Sequence, residues 1–126
     1  MIFNLKIIKI TYLLLRNIMS DKVEELTNET FAKSIESGKG YALVDFWAPW
    51  CGPCRMMAPV FESMAEKNSK VKFCKVNVDD QPDLSARFRV QGIPFFILFK
   101  DGKVVASRTG GSSEEEFADW LKQNTK

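Results

Sequence analysis

From Tyr41 to Trp47 every position is apolar except Asp45, and a continuous run of that kind predicts a buried central strand. Val71 to Val78, rich in β-branched residues, predicts a second strand. Between them the period changes: Met56, Met57, Val60, Phe61 and Met64 recur at helical intervals. This predicts a helix from Cys51 toward Asn68 with those five residues facing the core, kinked where Pro59 removes a backbone bond. Upstream, Lys22 to Leu26 reads as a short edge strand. A helix from about Asn28 to Ser37 follows, capped by Thr27 or Asn28 and ended by Gly38 and Gly40. Downstream, Asp79-Asp80-Gln81-Pro82 opens a short helix ending near Arg89, and Val90 to Pro94 is a loop. Phe95 to Lys100 and Lys103 to Thr109 flank Asp101-Gly102, a two-residue turn that supplies positive φ, and predict a hairpin forming a β-meander edge. Ser113 with Glu116 forms a capping box for a last helix, whose inner face carries Phe117, Trp120 and Leu121 and which reaches about Asn124. Strands alternating with helices, then a hairpin and a closing helix, give an α/β fold: a mixed central β-sheet flanked by helices on both faces. There are no internal repeats.

The pattern changes at the N-terminus. Residues 1–19 carry Lys6, Lys9 and Arg16, no acidic residue and mostly apolar residues elsewhere. The longest uncharged run is Ile10 to Leu15, short of the roughly 20 apolar residues that cross a membrane. Three readings stand for this leader: a start placed too early, with Met19 the real initiator; a secretory or anchoring segment; or an amphipathic surface segment. The domain proper is residues 20–126.

Composition narrows the chemistry. A net charge of +2 from 18 basic and 16 acidic residues gives no reason to expect nucleic acid as a partner. With no histidine and three cysteines, the chain can form neither a Ser/His/Asp or Cys/His centre nor a four-ligand Cys/His zinc site by itself. An odd cysteine count in a domain large enough to have a core argues against a secreted disulfide scaffold. It fits a reducing compartment in which one pair cycles.

That pair is Cys51 and Cys54, in Trp50-Cys51-Gly52-Pro53-Cys54 directly after the first strand. Residues three apart on a helix have β-carbons about 5 to 6 Å apart, and a small adjustment reaches the roughly 3.8 Å of a disulfide. Pro53 suits the first helical turn. Cys51 then sits at the helix N-terminus, where free N–H groups and the helix dipole favour a thiolate, lowering a cysteine pKa from about 8.5 into a range of about 3.5 to 7.5. Cys51 is assigned as nucleophile and Cys54 as the resolving thiol. The site falls at a strand's carboxyl end, as open α/β sheets place theirs. Asp45, alone in its apolar strand, should have its pKa raised by burial and accept the Cys54 proton, directly or through one water. Cys74, in the second strand, reads as a buried small hydrophobe.

The segment Val44 to Cys54, with Lys75, Gly92-Ile93-Pro94, the hairpin at Asp101-Gly102, and Gly110, resembles the thioredoxin family from about Val23 to Lys126. The resemblance implies the thioredoxin fold and general protein-disulfide reduction. It also implies electrons from NADPH through a thioredoxin reductase, with no cofactor bound. It implies that Ile93-Pro94 is a cis-proline loop, that Lys75 modulates Asp45, and that Trp50, Gly52, Pro53, Ile93, Pro94 and Gly110 form the surface on which disulfide-containing proteins lie. A cytoplasmic monomer is expected, with export or membrane anchoring as the alternative if the leader is a signal. The rival function is a scaffold that holds a partner on the same apolar rim whether or not the thiols cycle. Two departures stand out. Phe95 follows Pro94 where the family pattern usually has threonine, and is expected to enlarge the apolar rim near the thiols or to alter which partners dock. Pro49 precedes Trp50 where polar residues are common.

Overall fold

The computed structural model describes residues 6–9 and 22–126. Within the leader, 6–9 form one exposed helical turn, and the three readings of residues 1–19 otherwise lie outside the described residues. The elements are β1 (Val23–Glu25), α1 (Asn28–Phe31, continued by a π-helical turn Ala32–Glu36), β2 (Tyr41–Trp47), α2 (Gly52–Lys67), β3 (Val71–Asn77), α3 (Pro82–Arg87), β4 (Phe95–Lys100), β5 (Lys103–Thr109) and α4 (Glu114–Asn124). Among these residues no helix is long and apolar enough to cross a membrane.

The five strands lie in the order β1-β3-β2-β4-β5. β3 runs parallel to both β1 and β2, whereas β4 is antiparallel to β2 and to β5. The alternation of side chains along each strand divides the core into two layers. Leu43, Phe73, Phe96 and Leu98 face Met57, Phe61 and Met64 of α2 and Phe117 and Leu121 of α4. On the other face Ala42, Val44, Phe46, Cys74, Val76, Ile97 and Phe99 meet Phe31 and Ile35 of α1 and Leu84 of α3. Each such large apolar side chain contributes about 1.5–3 kcal/mol on burial. Aromatic rings add directional contacts, with Phe96 and Phe117 centroids 4.7 Å apart and Phe61 and Phe73 5.0 Å apart.

Several expectations change. The helix predicted from Asn28 to Ser37 is α-helical for one turn only, and its remainder widens into the π form. Thr27, not Asn28, caps it, in a reciprocal pair with Thr30. The hairpin is no part of a meander: β4 pairs with β2, which precedes it in sequence by two helices and a strand, and only β5 is added by the tight turn. Of the residues expected to face the core from α2, Met56 is 78% exposed. It lies at the border of the apolar stripe, beside the buried Met57. α2 begins at Gly52, one residue later than expected, with Cys51 as its cap, and contains Pro59 within it.

The turn Asp101-Gly102 has φ of 50° and 81°, as the primed turn of a hairpin demands. It is also a tertiary contact. Gly40 N–H donates to Asp101 Oδ1 at 2.7 Å, and a β-carbon on Gly102 would come within 2.6 Å of the Glu36 carbonyl oxygen.

Candidate functional site

The site forms where β2 ends. The chain leaves Trp47 through the buried Ala48 and turns at Pro49-Trp50, and Cys51 caps α2 with extended backbone (φ −85°, ψ 111°). Its Sγ accepts a hydrogen bond from the Cys54 N–H at 3.2 Å, so one of the free donors at the helix start points at sulfur. Pro53 in the first turn removes a donor that would have gone unsatisfied. The spacing argument is met: Cys51 and Cys54 are joined as a disulfide with their Cα atoms 5.2 Å apart. They are 5% and 3% exposed, so only a small face of sulfur meets solvent. Arg55 buttresses the turn by donating from Nη1 to the Pro49 carbonyl oxygen at 3.1 Å.

A second segment, far away in sequence, completes the rim. The Ile93-Pro94 peptide is cis, and the Ile93 carbonyl oxygen lies 3.8 Å from Cys51 Sγ. Gly110, at φ 94°, donates its N–H to the Pro94 carbonyl oxygen at 2.8 Å and so brings the end of β5 to the same loop. Trp50, Gly52, Pro53, Ile93 and Gly110 are all exposed or half-buried, while Pro94 is buried beneath them.

Behind the thiols, Asp45 and Lys75 lie side by side on β2 and β3. Both line a cavity of about 190 Å³ together with Trp47, Cys54, Arg55 and Glu62. Asp45 is 5% exposed, and its Oδ1 has no hydrogen-bond partner among the described residues. Burial pushes its carboxyl up from 3.8 to about 7, although the Lys75 charge pulls the other way. Trp47 Nε1 is likewise without a partner. The Lys75 ammonium sits 5.3 Å from the Trp47 ring centroid. At about 190 Å³ the cavity has room for water.

Sequence reasoning missed Asp79, which it read only as the approach to a helix. Its carboxylate accepts from Trp50 Nε1 at 3.0 Å and holds the exposed indole. The signal was the parallel pairing: Trp47 lies opposite Asn77, so the residues just beyond each strand end together. Asn77, buried, arranges that end by accepting the Asp79 N–H on its side-chain oxygen at 2.9 Å. Phe95 does not enlarge the rim. Half-buried, it packs with the α1 and α3 layer, its ring 6.2 Å from that of Phe46, because strand alternation turns it away from the thiols. Cys74 is fully buried. Burial first, then Glu24, pushes its thiol up to about 12, with Lys72 opposing.

Comparison with known proteins agrees with this geometry. The family model described as Thioredoxin matches residues 22–123. The chain is 40% identical to a thioredoxin of Pseudomonas aeruginosa over 107 residues, which is 84% of this chain and 99% of that protein. It is 36% identical to a thioredoxin of Buchnera aphidicola, over the same shares of each.

Proposed function

Because this chain belongs to the thioredoxin family and is an oxidoreductase exchanging dithiol for disulfide through Cys51 and Cys54, we propose that it acts as a general protein-disulfide reductase. The observation that carries the reading is Cys51 Sγ at the cap of α2, facing the Ile93 carbonyl, with Cys54 within bridging distance.

In the reduced protein the Cys51 thiolate attacks one sulfur of a client disulfide. That S–S bond breaks, the other client sulfur leaves as a thiolate, and a mixed disulfide remains on Cys51. The client chain lies across Trp50, Gly52, Pro53, Ile93 and Gly110, with the buried Pro94 shaping the loop beneath them, and main-chain groups of Ile93 offer strand-like pairing. Cys54 then gives up its proton and attacks Cys51 Sγ, releasing the second client thiolate and closing the Cys51–Cys54 bond. Two electrons have passed to the client.

Asp45 is the proton acceptor, through a water in the shared cavity. Its carboxyl titrates at about 7, close to working pH, where proton transfer is most effective. Lys75 modulates it, since without that charge the carboxyl would rise further. The protein is recharged by a thioredoxin reductase drawing on NADPH, and works as a cytoplasmic monomer. The odd cysteine count and the buried, inert Cys74 suit a reducing compartment.

The test is reduction of a generic protein disulfide by the full chain with NADPH and a thioredoxin reductase. Turnover is expected for the native protein. Cys51→Ser should abolish it, and Cys54→Ser should stall at a mixed disulfide visible by mass. No turnover by the native chain would reject the general-reductase reading, and a biological effect retained without both cysteines would favour the scaffold.

A further inference from the structure

Cys51 is 5% exposed, so a client cystine reaches its sulfur only when the chain on either side of that cystine lies against this protein. The reaction itself therefore supplies an occupant for the surface adjoining the thiols. Apart from the cavity that Cys54 lines behind the turn, two recesses border the rim residues around the thiols. One, of about 180 Å³, is lined by Trp50, Val78, Val90 and Ile93 with Ser85 and Gln91. The other, about 360 Å³, is lined by Pro53, Met56, Met57, Val60, Gly111 and Ser112, with no charged side chain.

The larger groove is continuous with the thiol turn through Pro53 and with the Gly110 end of the rim through Gly111. Its depth has a local cause. A β-carbon on Gly111 would sit 3.4 Å from Met57 Cγ and 3.7 Å from Met57 Sδ, so the missing side chain keeps the floor open. The Ser112 N–H donates to Met57 Sδ at 3.4 Å, tying one wall to the other. Over this floor stands Met56, 78% exposed, an unbranched and adaptable side chain in the position that helical spacing had assigned to the core.

We propose that this groove is a specificity subsite of the exchange reaction. It takes one large aliphatic side chain, carried by the client within a few residues of the cysteine that Cys51 attacks. A charged client residue entering the groove would be desolvated with no opposite charge lining it, so the groove selects against acidic and basic neighbours. The proposal rests on Cys51 as the nucleophile, and its test separates the two ideas.

The experiment uses the reduced full chain and a set of otherwise polar cystine peptides, in which one Leu is walked through the three positions on each side of the cysteine. The second-order rate of reduction is compared with that of the matching Ser and Asp peptides. Leu at one or two positions should raise the rate about tenfold over Ser, the scale of one aliphatic side chain in a partly open recess. Asp there should lower it. Gly111→Val, which fills the floor, and Met56→Glu, an exposed change that should not disturb folding, should each bring the Leu-to-Ser ratio close to one. Taking the ratio within one variant cancels any general change in thiol reactivity. No Leu preference at any position, or a preference that survives both substitutions, would overturn the subsite and leave the reductase reading intact. If the native chain reduces none of the peptides, the assignment of Cys51 falls with it.

Discussion

Asp45→Asn should stabilise the folded protein above neutral pH and bring no gain in acid. The carboxyl is 5% exposed, and burial raises its pKa from 3.8 to about 7 against the pull of Lys75. Below about pH 4 the folded and unfolded states both hold the proton, so the group adds nothing to the difference between them. From there to about pH 7 the folded state holds a proton that the unfolded chain has lost, and each pH unit costs folding about 1.4 kcal/mol. The penalty reaches about 4 kcal/mol and is constant above that, where both states are ionised. Asparagine keeps the shape and removes the charge, but still buries an amide. The net gain at pH 8 should therefore be about 2–4 kcal/mol. With a urea slope of about 1–2 kcal/mol per molar for a domain of this size, the unfolding midpoint should rise by about 2 M at pH 8. The gain should shrink through the window, and near pH 4 only the amide's own burial cost, up to about 2 kcal/mol against the variant, should remain. Other acids titrate identically in both proteins and cancel. A variant no more stable than the parent at pH 8, or a difference that ignores pH, would refute the claim that this carboxylate is buried without adequate compensation.

The same substitution should slow the resolving step, seen as accumulated mixed disulfide near neutral pH in stopped-flow mixing with a client; an unchanged rate would remove Asp45 from proton transfer. Lys75→Met takes away the charge that holds Asp45 down, so the pH-dependent loss of stability should extend above about 7 in the same urea titrations. Native Cys74, with its thiol pushed up to about 12, should resist iodoacetamide at pH 8 while reduced Cys51 reacts, and should label only when denaturant is added. Gly102→Ala places a β-carbon 2.6 Å from the Glu36 carbonyl oxygen at φ 81°, and should cost more than about 1–2 kcal/mol by thermal or urea unfolding.

Wherever the cause is local, the sequence was decisive. The Asp101-Gly102 turn, the caps at Thr27 and Ser113, and the thiol pair with its proline each follow from backbone chemistry within a few residues. So does the buried strand around Asp45, because an apolar run has nowhere else to go. Only the tertiary structure decided what meets across the sheet. It put Asp79 at the N–H edge of the Trp50 indole and Ile93 against Cys51, residues 29 and 42 positions apart. It also turned Phe95 away from the rim and Met56 out over a groove floored by Gly111. Pairing order, register and the facing of a residue at the border of a helical stripe depend on the summed packing of distant elements, and no short stretch of chain encodes that sum.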